Sequence, residues 1–497
     1  MLRRPTSTLQ PDACYRALVA HDARFDGLFF VGVTTTGIYC RPICRARTPG
    51  RSRCKFFRLP AEAEREGFRA CFRCRPEQAP GGSTEDALSQ LVGRVVARIE
   101  AGALDEMSVD DLARELGVTS RHLRRAVRRE LGVTPIAIAQ SVRLAVAKQL
   151  VQDSRVPLAD VAFASGFASL RRFNALFRER FSRAPSELRR ARGGAGPQKL
   201  LTLTLGYRPP LAWDALLAFF AARATPGIEG VDGASYRRTV RVGSRTGWFV
   251  ARHLPEQHAV RVEVSPTLGG ALVPLAARLR RVFDLGARPA EVDAHLARDP
   301  WLRARVRRLP GLRIPGAADG FELAVRAILG QQVSVRAATT LAGRLAERFG
   351  EPLATGDPSL VRLAPTPARL AAASESELAS VGVPSSRARA LHALSEEVAG
   401  GRLNLDVHAD PRAAREALER LPGVGAWTAG YVAMRAFGEP DAFPSGDGAL
   451  CRALGVAARS LDARAAVWRP WRAYATLHAW NAPAPPLESV RSRGETP

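Results

Sequence analysis

Lysine is almost absent from this chain of 497 residues. Only Lys55, Lys148 and Lys199 occur among the 73 cationic residues, and every other cation is arginine. A lysine amine can form a Schiff base with a sugar carbonyl, whereas an arginine guanidinium cannot. Covalent chemistry through lysine is therefore excluded beyond residue 199. The same segment has one cysteine, Cys451, which excludes a four-cysteine iron–sulfur cluster there.

Long hydrophobic runs are missing as well. No stretch approaches the roughly 20 apolar residues of a membrane span, and no apolar core of a secretory signal follows the basic start of the chain. We therefore expect a cytoplasmic protein that does not bind membranes. The formal net charge of +25 favours a polyanionic partner such as nucleic acid. An arginine-rich composition can also reflect a GC-rich genome.

Two short segments divide the chain. Ala79–Thr84 and Arg192–Pro197 are rich in glycine and proline and lack an apolar period, which is typical of linkers. A chain of this length is expected to hold three or four domains. Each of the three parts has an excess of positive charge. The end of the chain, 487–497, is predicted to be a flexible tail.

Cysteine is concentrated in the first part. Cys40 and Cys44 form one close pair, and Cys71 and Cys74 form another. Two such pairs can supply four thiolates to one tetrahedral Zn²⁺. A pair of disulfides is the alternative, and it is disfavoured because the cytosol keeps thiols reduced.

The motifs TTTGIYCRPIC and GFRACFRCRP, which contain these pairs, resemble the zinc domain of the Ada family. The resemblance covers about residues 10–78 and implies one Zn²⁺ held by all four cysteines. It also implies that Cys40 accepts a methyl group from a methylphosphotriester in DNA. Zinc and four thiolates together carry two negative charges, so methylation removes one of them and weakens repulsion from DNA phosphates. The roles of Cys14 and Cys54 stay open, Cys54 being either an idle thiol or a competing ligand.

The second part contains two helix-turn-helix patterns. Apolar residues in Ser108–Leu131 have helical spacing around a turn at Gly117, and the pattern recurs around Gly166. We expect Ser120 and Ser169 to cap the second helix of each unit. Both of these helices have a basic outer face, formed by Arg121, His122, Arg124, Arg125, Arg128 and Arg129 in the first and by Arg171, Arg172, Asn174, Arg178 and Arg180 in the second.

An ordinary solvated helical face would mix charges of both signs, which disfavours that alternative. The run ADVAFASGFASLRRFNALFRERF, with the later Pro185, resembles the AraC family of DNA-binding domains over about residues 86–190. The resemblance implies two recognition helices in adjacent segments of the major groove. It implies promoter DNA as a partner, RNA polymerase as a further candidate, and DNA contacts by Arg121, Arg124, Arg171 and Arg172.

The third part contains LPGVG between two helical stretches. Gly423 and Gly425 allow a tight turn and expose N–H groups at a helix start, which suits a DNA phosphate. An ordinary helical hairpin is the alternative. Asp447 follows in FPSGD, where an aspartate serves as a helix N-cap, as a catalytic carboxylate, or as both.

The hairpin and FPSGD together resemble the helix-hairpin-helix DNA glycosylase superfamily, in which the aspartate at this position is catalytic. GFELAVRAILGQQVSVRAA and WRPWRAYATLHAW are similar to the AlkA-type 3-methyladenine glycosylases. So is a preceding region whose runs TVRVG, GWFVARHL and AVRVEVS alternate like antiparallel strands. The resemblance covers about residues 199–484. It implies stacking of the substrate base on Trp427, Tyr431 and Trp480, and DNA contacts by Gly423, Gly425, Thr428 and Gln332, the last standing where the family has an apolar wedge.

Because lysine is missing, water must be the nucleophile, with Asp447 as the base and as the stabiliser of an oxocarbenium-like sugar. A purine alkylated on a ring nitrogen is already cationic, so it leaves with little acid help and stacks well on aromatic faces. Core packing is the alternative role of the three aromatic residues, and a hydrogen bond to the loop backbone is that of Gln332. The nearby Trp468, Trp471 and Tyr474 are predicted to be structural.

We therefore expect a multidomain, mainly α protein with α+β parts. Its predicted domains are an α/β zinc domain (1–80), an all-α twin helix-turn-helix domain (84–192), a β-rich subdomain (198–285) and an all-α glycosylase domain (286–486). The predicted protein is a monomer with one Zn²⁺ and no organic cofactor. It would combine a 3-methyladenine glycosylase of type II, a suicidal methyltransferase and a transcriptional activator. The alternatives are a regulator whose glycosylase fold only binds DNA, and a repair enzyme without a regulatory role.

Overall fold

The computed structural model describes residues 10–80, 90–190, 200–406 and 409–481. Most of both predicted linkers, Lys199 and the predicted tail 487–497 lie outside these ranges. The described part is mainly helical and contains a four-stranded sheet, a five-stranded sheet and a two-stranded pair. This confirms the mixed, multidomain fold class. None of the described helices combines the length and the apolar composition that crossing a bilayer requires.

The first unit is a small α/β domain. Its elements are α1 (Pro11–Val19), β1 (Phe30–Val33), β2 (Ile38–Cys40), β3 (Cys54–Phe57), α2 (Pro60–Arg65) and β4 (Arg69–Ala70). The strand order is β3-β1-β2-β4, and β2 pairs with β4 in parallel. The register aligns Tyr39 with Ala70. Because the two strands point the same way, Cys40 and Cys71 lie side by side at their ends.

The second unit contains two helix-turn-helix motifs in an all-α array. Its helices are α3 (Gln90–Glu100), α4 (Ala103–Glu106), α5 (Val109–Glu115), α6 (Ser120–Leu131), α7 (Pro135–Asp153), α8 (Leu158–Ala164), α9 (Leu170–Phe181) and α10 (Pro185–Arg190). The two predicted turns are confirmed at Gly117 and Gly166. Their φ angles of 71° and 81° lie in the left-handed region that favours glycine.

The helix caps of α6 and α9 differ from each other. Ser169 caps α9 as predicted, since its hydroxyl accepts a hydrogen bond from the Arg172 N–H. The predicted cap at Ser120 is wrong. Thr119 is the extended residue before α6 and accepts from the His122 N–H, so the helix begins one residue earlier than the serine suggested.

The third unit begins with a five-stranded antiparallel sheet in the order β5-β9-β8-β7-β6. Its elements are β5 (Leu201–Gly206), α11 (Trp213–Ala221), β6 (Glu229–Asp232), β7 (Ser235–Val242), β8 (Arg245–Leu254) and β9 (Ala259–Val264). The three alternating runs identified in the sequence are β7, β8 and β9, which confirms the β-rich region. Every residue of the edge strand β5 is buried, which requires another element to cover it.

The rest of the third unit is helical apart from one short strand pair. The helices up to the hairpin are α12 (Leu272–Val282), α13 (Pro289–Leu296), α14 (Pro300–Arg308), α15 (Gly320–Leu329), α16 (Val335–Phe349), α17 (Pro367–Ala371), α18 (Glu375–Ala379), α19 (Ser385–Ala399) and α20 (Pro411–Glu419). Those that follow are α21 (Ala426–Ala436), α22 (Gly448–Leu454), α23 (Ala458–Ala465) and α24 (Arg472–Trp480). The strand pair, β10 (Glu351–Pro352) and β11 (Arg362–Leu363), was not anticipated from the sequence.

Helix α7 packs against all three units. Ile138 in its first half belongs to the core of the first helix-turn-helix motif. Leu150 in its second half belongs to a continuous core that runs from the zinc domain through the second motif into the third unit. Near its end, the Gln149 amide donates to Glu77 O at 3.0 Å and accepts from the Thr204 N–H at 3.1 Å. The covering element of edge strand β5 is therefore α7.

Lys148 is the one lysine at this junction, and its side chain is completely buried. Its ammonium pairs with Glu77 at 2.8 Å and donates to Cys71 O at 3.2 Å. The rings of Phe72 and Phe181 lie 5.0 and 5.7 Å from the same ammonium. Burial would raise the pKa of the Glu77 carboxyl, but the charges of Lys148 and Arg75 outweigh it and lower that pKa. This contribution to stability is present above the ordinary carboxyl pKa and is lost as the pH falls through the lowered value.

We expect Lys148→Met to destabilise the protein by about 3 kcal/mol, because it removes the completely buried cation paired with the Glu77 carboxylate and leaves only Arg75 beside it. Chemical denaturation followed by tryptophan fluorescence measures the change. Lys55→Met is the matched control, since Lys55 pairs with Glu66 at the same 2.8 Å but is 55% exposed. The control should cost no more than about 1 kcal/mol. Equal effects of the two substitutions would contradict the importance of the buried pair.

Candidate functional site

The four paired cysteines meet in one group. The sulfur atoms of Cys40, Cys44, Cys71 and Cys74 all lie within 4.8 Å of one another. Zn–S bonds of about 2.3 Å in tetrahedral geometry place sulfurs about 3.8 Å apart, so the group fits Zn²⁺ with little adjustment. All seven cysteines lie in the described residues, and none forms a disulfide. The thiolate alternative is thus favoured over the disulfide one.

Hydrogen bonds prepare the group for a cation. The Arg41 N–H donates to Cys74 Sγ and the Arg73 N–H donates to Cys71 Sγ, both at 3.4 Å. Hydrogen bonds among the four thiols, that of Cys40 first, lower the pKa of Cys44 to about 7 and also lower that of Cys71, whereas they raise the pKa of Cys40 and Cys74. Donors directed at sulfur favour the thiolate form, which is the form that binds metal.

Exposure differs among the four cysteines. Cys44 and Cys71 are buried, whereas Cys40 and Cys74 are partly exposed. Cys54 lies outside the group, and its thiol donates to Gly50 O at 3.4 Å. The structure therefore places Cys54 among structural residues, while partial exposure is shared by Cys40 and Cys74.

The basic recognition helices are open to solvent at the predicted positions. Arg121 and Arg124 of α6 and Arg171 and Arg172 of α9 are all exposed. Arg180 differs from the predicted face, because its guanidinium turns inward and pairs with Glu64 of the zinc domain. A helical repeat read from sequence cannot reveal this, since the partner lies on another unit.

The hairpin loop connects α20 to α21. Gly423 adopts a positive φ of 74°, as a tight turn requires, whereas Gly425 is extended and caps α21. A Cβ added to Gly425 would meet nothing within 4 Å, so the start of α21 is open on its outer side. The Thr428 side chain is buried and accepts a hydrogen bond from Gln331 at 3.0 Å. Only the backbone of Thr428 is left to face a phosphate.

Gln331 is a residue that sequence reasoning missed. Its amide also donates to Gly423 O at 2.9 Å, so it ties the GQQVS loop to the hairpin. The next residue, Gln332, is exposed and has a positive φ of 54°. The two adjacent glutamines were the signal in the sequence. The Gln331 side chain bonds to the hairpin, whereas the Gln332 side chain is exposed.

Asp447 stands at the N-terminus of α22 and is buried. Its Oδ1 accepts from the Leu450 N–H at 2.8 Å and from the Trp480 indole at 3.2 Å. Its Oδ2 accepts from the Trp427 indole at 2.8 Å. The helix-cap role and the fixed orientation of the carboxylate therefore coexist, and both indoles that the sequence assigned to base stacking also hold this carboxylate.

The three predicted aromatic residues form one cluster. The Trp427 and Tyr431 rings are stacked with centroids 5.4 Å apart, and the Trp480 ring lies 6.1 Å from Tyr431 at 45°. The other aromatic residues of this region have buried structural partners: Trp468 donates to Asp299 at 2.7 Å and Tyr474 to Asp284 at 2.8 Å.

The arginines around Tyr431 were also not identified from the sequence. Arg435, one helical turn after Tyr431, donates to its hydroxyl and to Pro315 O. Burial would raise the pKa of the Tyr431 phenol, but the charges of Arg435, Arg223 and Arg326 outweigh it and lower that pKa. The i, i+4 spacing of Trp427, Tyr431 and Arg435 on α21 was the signal that could have identified this face.

Four family models match successive parts of the chain. They describe the metal-binding domain of Ada at residues 13–77, a helix-turn-helix domain at 112–191, the AlkA N-terminal domain at 202–319 and the HhH-GPD superfamily of base excision DNA repair proteins at 325–462. The order of the matches follows the order of the resemblances in the sequence.

Known proteins match the whole chain and its third part. A "probable bifunctional transcriptional activator/DNA repair enzyme AlkA" of Mycobacterium tuberculosis is 40% identical over 479 residues, which are 94% of this chain and 96% of that protein. DNA-3-methyladenine glycosylase 2 of Escherichia coli is 37% identical over 278 residues, 56% of this chain and 96% of that protein. The 3-methyladenine DNA glycosylase of Archaeoglobus fulgidus shares the fold, with a TM-score of 0.50 and 21% identity over 56% of this chain and 97% of that chain.

We expect Trp480→Phe to slow base release, the activity predicted from the sequence, while the KM for damaged DNA changes little. Phenylalanine keeps an aromatic face but removes the N–H that holds Asp447. A hydrogen bond to a charged group contributes about 1.5–3 kcal/mol, so kcat should fall by roughly 10- to 100-fold. Single-turnover and steady-state kinetics separate the two effects. Trp248→Phe, in strand β8, is the control, and a rise in KM alone would indicate that Trp480 acts only by stacking.

Proposed function

The chain belongs to the family of bifunctional transcriptional activator and DNA repair enzymes AlkA, and from this premise we propose that it hydrolyses the N-glycosidic bond of alkylated purines such as 3-methyladenine. It is a DNA glycosylase joined to an Ada-type zinc domain and an AraC-type helix-turn-helix domain. The observation that carries the proposed reaction is the Asp447 carboxylate, held on both oxygens beside the aromatic cluster.

In the proposed reaction, Asp447 acts in two steps, the breaking of the glycosidic bond and the addition of water. As the bond between C1′ and the base nitrogen breaks, its electron pair leaves with the base and positive charge grows on the sugar. A buried carboxylate with a fixed orientation stabilises that charge without reorganising. Water then bonds to C1′ and its proton passes to Asp447, whose Oδ2 keeps one lone pair beside the one that accepts from the Trp427 indole.

Trp427 and Trp480 can hold Asp447 and stack on the base at the same time. An indole N–H lies in the plane of its ring, so the hydrogen bond to Asp447 occupies neither ring face. Tyr431 covers one face of Trp427, which leaves the opposite face for the base. A cationic alkylated purine is attracted to such faces. Hydrogen bonding and stacking by one side chain would fix the distance between the departing base and the carboxylate.

We propose that DNA is held by the hairpin and by the loop before it. The open N-terminus of α21, with Gly423, Gly425 and the backbone of Thr428, suits a phosphate. Gln332 extends from a loop that Gln331 anchors to this hairpin, and we assign it to the gap left by the flipped base. Being polar, Gln332 would fill that gap by hydrogen bonding more than by apolar insertion.

The zinc domain is proposed to repair methylphosphotriesters. Cys40, Cys44, Cys71 and Cys74 would hold one Zn²⁺, which keeps the sulfur deprotonated and electron-rich when bound. In the transfer a bond forms between Cys40 Sγ and the methyl carbon, the bond from that carbon to the phosphate oxygen breaks, and the electron pair returns to a phosphodiester. Cys40 is consumed, so each molecule acts once.

The regulatory part is proposed to bind promoter DNA through Arg121, Arg124, Arg171 and Arg172, with RNA polymerase as a partner. We propose a monomer in the cytoplasm, with Zn²⁺ and no organic cofactor. The proposed domain limits are 1–80, 84–192, 198–285 and 286–486.

Asp447→Asn should reduce the release of 3-methyladenine from methylated DNA by at least about 100-fold, because the amide can neither take a proton nor stabilise a cation. Asparagine still caps α22, so folding should be retained. The exposed Asp462→Asn is the matched control and should release base at the wild-type rate. Release by Asp447→Asn at that rate would overturn the assignment. Loss of release with intact DNA binding also excludes a fold that only binds DNA.

Incubation with DNA that carries methylphosphotriesters should add one methyl group, about 14 Da, to the peptide that contains Cys40. Peptide mass spectrometry locates the modification. Cys54→Ser is the control, and it should accept the same amount because Cys54 lies outside the sulfur group. A methyl group on another cysteine, or on none, would refute the proposed acceptor.

A further inference from the structure

A buried cluster of arginines joins the zinc domain to the glycosylase half. On the zinc side, Asp26 is buried and pairs with the guanidinium of Arg41 through both oxygens. Arg41 directly follows Cys40, and its guanidinium donates to Cys74 O at 3.2 Å. Together with the N–H bond to Cys74 Sγ, this makes Arg41 the residue that connects the sulfur group to the junction.

The glycosylase half meets this residue at the end of strand β5. A Cβ on Gly206 would lie 2.2 Å from Gln78 O and 3.6 Å from Arg41 Nη2, so the two backbones are in direct contact. Arg208, two residues later, is 1% exposed and donates to Gly286 O at 2.7 Å. Arg280 lies on α12, which packs against β5, and the charges of Glu100, Arg41 and Asp26 act on its guanidinium.

The arginines at this junction are incompletely hydrogen-bonded. Asp26 pairs with Arg41, and its charge also acts on Arg208 and Arg280, to which the charges of Glu291 and Glu100 are added respectively. Buried N–H groups of Arg208 and Arg280 have no hydrogen-bond partner among the described residues. Burial lowers the pKa of each of these two arginines to about 10. A buried cation that lacks full compensation depends on more distant negative charge.

Zn²⁺ held by the four thiolates would be such a charge, because the bound site would carry two negative charges next to Arg41, whose N–H donates to Cys74 Sγ. Methylation of Cys40 would leave one of them. The loss acts on a low-dielectric junction, where charge interactions are screened far less than on the surface.

We propose that methylation of Cys40 is transmitted to the glycosylase half by loosening the contact that Arg41, Arg208 and Arg280 maintain between the zinc domain and β5 with α12. The inference rests on the proposed methyl transfer to Cys40. Before damage is sensed, the two repair modules are held together. After methylation, the glycosylase half gains freedom relative to the sensor.

Hydrogen–deuterium exchange of the full-length, zinc-loaded protein tests this coupling. The protein is incubated with DNA carrying methylphosphotriesters or with undamaged DNA of the same sequence, and DNA is then removed at high salt. Peptides from 200–210 and 272–283 should exchange roughly fivefold faster after methylation, whereas peptides of α19 should not change. Full methylation of Cys40 with unchanged or slower exchange at the junction would overturn the inference.

Charge-neutral variants identify the residues involved. Arg280→Met removes the charge but keeps a long side chain, so the difference between methylated and unmethylated protein should largely vanish while methyl uptake stays complete. Arg208→Met, two residues after the end of β5, should give the same result. It serves as a second variant if Arg280→Met folds poorly. Arg261→Met, on the exposed side of the adjacent strand β9, should keep the full difference. A difference that survives in both junction variants would contradict the proposal.

The same samples separate the two proposals. Mass spectrometry of the Cys40 peptide reports methyl transfer independently of exchange. No methyl group on Cys40 would refute both the transfer and its transmission. A methylated Cys40 with an unresponsive junction would refute only the transmission.

Discussion

The ion pair of Lys148 with Glu77 is the interaction on which the arrangement of the chain depends. Both side chains are buried. Lys148 lies on α7, the helix that covers strand β5, and its ammonium contacts Cys71 O in the zinc domain and the Phe181 ring of the second helix-turn-helix motif. A buried ion pair contributes little net stability compared with apolar packing, but it is costly to leave half-made. The pair therefore selects one docking position for α7 and rejects others in which a charge would be unpaired.

Within that frame, the glycosylase site uses few residues for several tasks. Asp447 caps a helix and presents a carboxylate, while Trp427 and Trp480 each offer an N–H to that carboxylate and, in the proposed reaction, a ring face to the base. Such sharing makes the geometry precise, because moving one group disturbs two contacts. The cluster also limits which substitutions are tolerated. Replacing Trp427 or Trp480 by another aromatic residue would keep a ring face but remove the N–H that orients the Asp447 carboxylate.

Local chemistry was readable from the sequence, and contacts between units were not. The two cysteine pairs, the turn glycines and the run before Asp447 predicted their surroundings because each depends on neighbours along the chain. Serine is the slightly better capping residue by type, so the cap at Thr119 in place of Ser120 is decided by the backbone conformation. The inward turn of Arg180 towards Glu64 and the bond from Gln331 to Gly423 span units or distant segments, and no periodicity encodes them. The predicted linkers suggested separate parts, whereas one continuous core spans the zinc domain, the second helix-turn-helix motif and the third unit.

The packing of α7 over strand β5 also affects how the chain folds while it is being synthesised. An unpaired strand edge is a site of aggregation while its partners are missing. A ribosome makes the chain from its N-terminus, so α7 emerges before β5, and β5 emerges before its sheet partner β9. Helix α7 is thus already synthesised when the edge of β5 first appears, so it can cover that edge before β9 is available.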